Sequence, residues 1–253
     1  MWLYGAFLYG SLLLCGVVTA ITIRRYDLRP TEPRHTVLFT IALGAAFMWA
    51  AGAAQDRLVY AMVTGGCTAL TNFTFALLAG TTEEASKLLA VLTTWMIFRK
   101  SFEEHSDGVY HGALAGLGAA ILESVHSLGW PNALSFLPVQ EPIRLAGHLV
   151  MGAVTCAPLG LLAVKDRRWV WAVPLFLLLG AGLHAVWDWV AYETADAFRS
   201  TGSLRWYHSA ASIAIMFSGL LAFRKLMAYA SVLQRCHIDG DCGVARGVDT
   251  IRP

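Results

Sequence analysis

The chain has 253 residues; 57% are hydrophobic, only 14% are charged, and the mean hydropathy is +0.55. A soluble domain carries nearer a quarter charged residues, so a water-soluble enzyme is excluded and a polytopic membrane bundle is expected. The net charge of +2 comes from short basic clusters at the ends of apolar runs, so it is no sign of a nucleic-acid partner, and none is expected.

The first apolar run, Met1 to Ile23, is followed rather than preceded by Arg24 and Arg25. That polarity is opposite to a cleaved signal peptide and predicts a first span with its N-terminus outside. The second span is expected over about Thr36 to Ala54, ending at Gln55-Asp56-Arg57. The stretch from Leu58 to Phe98 must contribute one crossing, because Arg24, Arg25, Arg29 and Arg34 before it and Arg99-Lys100 after it belong on the cytoplasmic side. Gly65-Gly66 is the natural break, which leaves Leu58–Gly66 as a short re-entrant or interfacial piece and puts the third span at about Thr68 to Phe98.

The fourth span is expected over about Gly108 to Leu128, with small residues from Gly112 to Gly118 that allow a close helix neighbour. Ala133–Glu141 reads as interfacial, and the fifth span as about Pro142 to Val164, before the basic cluster Lys165-Asp-Arg-Arg168. The sixth span is about Trp169 to Tyr192, and Glu193–Arg205 is an external loop. The seventh is about Trp206 to Phe223, closed by Arg224-Lys225. The expectation is one all-α membrane domain of about seven spans over residues 1–233, N-terminus outside, with a disordered cytoplasmic tail over 234–253. Five cysteines form no disulfide framework, and Cys236, His237 and Cys242 in the tail complete no zinc spacing.

Ionisable residues at membrane depth are costly and mark function. Glu83, Glu84 and Lys87 stand in the third span, and Lys87 can reach either carboxylate across one turn. Adjacent carboxylates repel in a low dielectric and one lysine offsets only one of them, leaving the other able to shuttle a proton. Glu123 in the fourth span, His148 in the fifth, and His184 and Asp188 in the sixth complete the set. At the rise of a helix, Glu83, Glu123 and His184 each lie about 22 Å from the cytoplasmic ends of their spans and His148 about 24 Å. Four helices thus bring polar residues to one layer in the outer half of the bilayer. Asp188 can orient His184 one turn away, or both can face a common water or metal. Glu123 and His126 have the spacing of carboxylate–histidine metal helices. Two chemistries stay open: a carboxylate that activates water, or a bound zinc that acidifies it.

Glu83-Glu84-x-x-Lys87, Asp107-Gly-Val-Tyr-x-Gly112 with Gly116-Leu-Gly118 and Glu123, Arg144 with Gly147-His148 and Gly152, and Leu183-His184-x-x-x-Asp188 follow in order. Together they resemble the PrsW family of intramembrane proteases, distant relatives of the type II CAAX prenyl endopeptidases, over about residues 68–190. The resemblance implies that Glu83 activates water and that Glu84, Lys87, Glu123, His148, His184 and Asp188 share the site. If a metal is bound, it implies zinc on Glu84, Glu123, His148 and His184. Ala119 and Ser124 depart from the phenylalanine and asparagine common in the family, which bears on pocket shape. The implied reaction is site-1-type cleavage of a single-span membrane protein, such as an anti-sigma factor, near the extracytoplasmic face of a bacterial cell membrane. Two other functions would use the same buried acids. One is a non-catalytic scaffold; the other is a proton or cation transporter, which predicts an inverted repeat that is not visible.

Overall fold

The structure is a computed structural model that describes residues 2–24, 33–66, 71–128, 140–164, 170–201, 214, 218 and 221–233. Among these the fold is all-α, in the order α1 (Trp2–Arg24), α2 (Arg34–Thr64), α3 (Asn72–Ile97), α4 (Asp107–Leu128), α5 (Gln140–Ala163) and α6 (Ala172–Thr201), then a helix α7 over 221–233. A single 3₁₀ turn, Arg99–Ser101, links α3 to α4. Helices α2, α5 from Glu141 and α6 to Ala197 are long and apolar enough to cross a membrane. Helical spans are what lipid permits, because each satisfies its own backbone.

α4 is the central helix, packed by α5, α2, α1 and α3. Its small residues explain why: Ala113, Ala115, Ala119 and Ala120 are completely buried. Gly112 of α4 lies against the Gly152 backbone of α5, where a methyl group on either would collide with the other's carbonyl. Apolar burial follows from this contact. Leu114, Leu117, Leu145, Leu149 and Val154 form one core with Leu12 of α1 and Met227 of α7. α3 packs chiefly on α6, and Gly80 sets that approach beneath the backbone of Ala181 and Ala185.

Several expected boundaries are corrected. Leu58–Gly66 is not a separate interfacial piece. Its residues to Thr64 continue α2 through Gln55-Asp56-Arg57, making one helix of 31 residues. At about 1.5 Å per residue that is about 46 Å, longer than the hydrocarbon core, so charged residues sit in the helix beyond it. The break at Gly65-Gly66 is where the sequence puts it, with Gly66 at φ 75°. α3 begins at Asn72 rather than Thr68, under a capping box in which Thr71 and Thr74 each accept the other's backbone N–H. α6 does not stop at Tyr192: Glu193–Thr201 is helical, not an external loop. Asn72 at the start of α3 donates to Glu193 (3.2 Å) and Asp196 (2.8 Å), so a tertiary contact holds that polar end in register. α7 runs past Arg224-Lys225, where the seventh span was expected to close. Ala133–Val139, Lys165–Arg168, most of Trp206–Leu220 and the tail from Gln234 lie outside the described residues.

Candidate active site and metal centre

Four helices meet at one polar cluster. α3 supplies Glu83, Glu84 and Lys87, α4 supplies Glu123, α5 supplies His148, and α6 supplies His184 and Asp188. The residues read from the sequence as one layer are one cluster of side chains.

The two neighbouring glutamates have opposite environments. Glu84 is wholly buried and its oxygens are all engaged. Lys87 Nζ and His184 Nδ1 (2.8 Å) both meet Oε1, and the Thr155 hydroxyl donates to Oε2 at 2.7 Å. Lysine has donors only, so Glu84 is held as an acceptor, and the hydrogen toward it belongs to His184 Nδ1. Glu83 points elsewhere. Its Oε2 is buried and has no hydrogen-bond partner among the described residues. It lies 3.4 Å from His184 Nε2 and 4.0 Å from His148 Nδ1.

The second imidazole repeats the pattern. His148 Nε2 stands 2.8 Å from Glu123 Oε2, and His148 Nδ1 is buried with no hydrogen-bond partner among the described residues. The rings of His148 and His184 meet edge-on with centroids 4.9 Å apart. Each ring thus has a carboxylate at one nitrogen and turns the other toward Glu83. This is the arrangement by which an outer carboxylate fixes a ligating histidine.

The donor set fits a metal. One ligand atom each from Glu83, His148 and His184 lies within 4.8 Å of the others. Two imidazoles and a carboxylate are a catalytic zinc set that leaves a position for water. Two ligands about 2.1 Å from one tetrahedral ion stand about 3.4 Å apart, which the Glu83–His184 separation of 3.4 Å matches. Glu83 Oε2 and His148 Nδ1, buried on two helices with no hydrogen-bond partner among the described residues, are the independent sign, since such groups ordinarily find a partner.

Of the expected ligands, His148 and His184 contribute to this group, whereas Glu84 braces His184 from behind and Glu123 stands beside His148. Asp188 Oδ2 lies 3.6 Å from His184 Nε2, the same nitrogen that faces Glu83. Glu84 meets the other nitrogen of the same imidazole, Nδ1, at 2.8 Å. His126 is exposed and takes no part, and His111 is buried toward the other end of α4, where its Nδ1 meets Thr40 at 3.0 Å. Trp187 packs over Gly147, beside His148, whereas Trp189 turns to Phe73 of α3.

Two participants were absent from the expected site set. Arg144 reaches Glu123 (3.5 Å), Glu141 (3.3 Å) and the Ser127 hydroxyl (2.9 Å). Two carboxylates compensate its charge near the start of α5. Its spacing four residues before His148 was the available signal. Thr155 gave none beyond standing seven residues after His148, on the same face of α5. Exposure is graded through the cluster. The Glu84 and Lys87 side chains are closed off, whereas Glu123 is 33% and Arg144 21% exposed. Among the described residues, exposure in the cluster rises toward the end of the bundle where α4 finishes and α5 starts.

A family model described as PrsW family intramembrane metalloprotease matches residues 32–220. A curated relative, protease PrsW of Bacillus subtilis (strain 168), is 26% identical over 186 residues, covering 71% of this chain and 82% of the relative. No solved structure matches.

Proposed function

The chain belongs to the PrsW family of intramembrane metalloproteases, and from that premise we propose that Glu83 stands at the reacting centre and activates the water that cleaves the peptide bond. The protein is an integral membrane hydrolase of peptide bonds, working on a membrane protein in a lipid environment. The observation that carries the role of Glu83 is its unpartnered Oε2, facing one nitrogen of each of two braced imidazoles.

A water placed among these atoms lies within reach of a carboxylate oxygen that has no hydrogen-bond partner among the described residues. Glu83 takes its proton, and the hydroxide attacks the scissile carbonyl carbon. Negative charge then develops on the carbonyl oxygen. In their protonated forms His184, which also donates Nδ1–H to Glu84, and His148, beside Glu123, present an N–H to that charge in a low-dielectric site, where such interactions are strongest. Glu83 returns the proton to the leaving amine. The alternative is a metal ion held by Glu83, His148 and His184, which would polarise the carbonyl and acidify the water, with Glu83 then a ligand rather than the base. Asp188 and Arg144 line the open side and orient what enters.

The substrate reading is site-1-type cleavage of a single-span protein, such as an anti-sigma factor, near the extracytoplasmic face of a bacterial cell membrane. Two features support it. Exposure among the described residues of the cluster rises toward one end of the bundle, and placing every basic cluster on the opposite side, with seven spans, makes that end extracytoplasmic. The test is purified protein and a panel of single-span substrates in liposomes. Wild type is compared with Glu83→Ala and His184→Ala, with and without chelator. Wild type is expected to cleave within or beside the span and both variants to fail. Equal cleavage by Glu83→Ala, or none by wild type across the panel, overturns the reading.

A further inference from the structure

Hydroxyls inside a helix have a default partner, the carbonyl one turn back, which needs nothing from the tertiary fold. Thr19, Thr40, Thr81, Thr93 and Thr94 all take it, at 2.7–3.0 Å. Thr155 of α5 does not. Its side chain is completely buried, and its one O–H donates across to Glu84 Oε2 at 2.7 Å. The room for this comes from α6. A methyl group at Gly180 would overlap the Thr155 hydroxyl and lie 3.5 Å from Glu84 Oε2. Gly180 stands one turn before His184, so one face of α6 carries both the space for the hydroxyl and the imidazole at the other oxygen of the same carboxylate.

We infer that Thr155 is a positioning residue for the reaction. Its hydroxyl, in the space left by Gly180, fixes the Glu84 carboxylate so that Oε1 accepts from His184 Nδ1 and the opposite nitrogen, Nε2, is turned to Glu83. Lys87 cannot do this alone. It engages Oε1, the oxygen His184 also uses, and leaves Oε2 free to rotate. Thr155 engages Oε2 and makes the carboxylate's plane a fixed quantity. The inference rests on His184 acting at the reacting centre, as proposed above.

The test reads the imidazole directly. Full-length protein carrying ¹⁵N-labelled histidine is placed in nanodiscs, with chelator present, and the ring nitrogens are observed. The His184 signals are assigned by their loss in His184→Gln. Wild type is expected to show Nδ1 protonated toward Glu84. Thr155→Val keeps the shape and removes the donor, and should give a mixture of ring forms; Thr155→Ser should restore the wild-type spectrum. Gly180→Ala displaces the hydroxyl without removing it, should reproduce Thr155→Val, and stands in for it if that variant misfolds. In the cleavage assay Thr155→Val should lower kcat about 10–100-fold with KM unchanged, the usual effect of losing an outer partner. Gly180→Ala should add little to it, because both act on one hydrogen bond. A wild-type His184 spectrum in Thr155→Val and Gly180→Ala would overturn the inference, as would a Thr155→Ser as damaged as Thr155→Val. If wild type cleaves nothing, the protease reading fails, while the ring spectra still decide the role of Thr155.

Discussion

Gly80→Ala is the smallest change expected to disable the site from outside it. The added methyl carbon would lie 2.6 Å from the Ala181 carbonyl oxygen and 2.8 Å from the Ala185 nitrogen, both backbone atoms of α6. Ordinary contacts begin near 3.4 Å, so α3 and α6 must part by about 0.8 Å. Glu84 is one turn beyond Gly80 on the same face, and His184 lies between Ala181 and Ala185. The 2.8 Å contact from His184 Nδ1 to Glu84 then lengthens to about 3.6 Å, outside hydrogen-bond range. A displacement near 1 Å at a reacting centre costs about 100-fold in rate, or about 2.7 kcal/mol of barrier. Helix propensity works the other way, since alanine favours a helix by about 1 kcal/mol over glycine. The expected result is a folded protein with a strongly reduced cleavage rate. Gly182→Ala is the control, because a methyl group there meets nothing within 4 Å. Initial rates on a single-span substrate in proteoliposomes, paired with thermal unfolding, check it. A Gly80→Ala enzyme working at the wild-type rate would refute the claim that the α3–α6 approach sets the site.

Lys87→Met leaves Glu84 as a buried charge without its cation, and should destabilise the protein by about 3–5 kcal/mol, read as a lowered Tm. Adding Glu84→Gln should recover part of that loss while activity stays absent. Arg144→Ala releases Glu123 from beside His148 and should cut the cleavage rate about tenfold. Arg144→Lys should recover only part of it, since lysine keeps the charge but not the forked geometry that spans Glu123, Glu141 and Ser127. Chelation should abolish cleavage and zinc should restore it, with His148→Ala raising the zinc concentration required about tenfold or more. Full activity in protein shown by elemental analysis to be metal-free would assign the water activation to Glu83 without a metal.

The membrane class and the site's membership are local properties, and the sequence carries them. A run of apolar residues with its flanking arginines is a statement about transfer from water to lipid, made one segment at a time. A buried carboxylate or imidazole is costly wherever its helix goes. Glu83, Glu84, Glu123, His148, His184 and Asp188 therefore stand out without any knowledge of packing, and a count along each helix places them at one depth. Helix ends are less legible. Neither the run from Gln55 to Thr64 nor that from Glu193 to Thr201 has a reason in its composition to stay helical. Each continues because a helix need not stop where the hydrocarbon does, and the second is held by Asn72 from another helix.

What the tertiary structure alone decided is the division of labour within the pair that begins the site. Adjacent helical residues point about 100° apart, so Glu83 and Glu84 face different neighbours. From helical spacing alone either could meet Lys87, and either could work on water. Only the seating of α3 against α5 and α6 gives Glu84 to Lys87, Thr155 and His184 Nδ1, and leaves Glu83 Oε2 facing two imidazole nitrogens. A carboxylate's role is set by the partners at its oxygens, and those partners come from helices about 70 and 100 residues away in the chain.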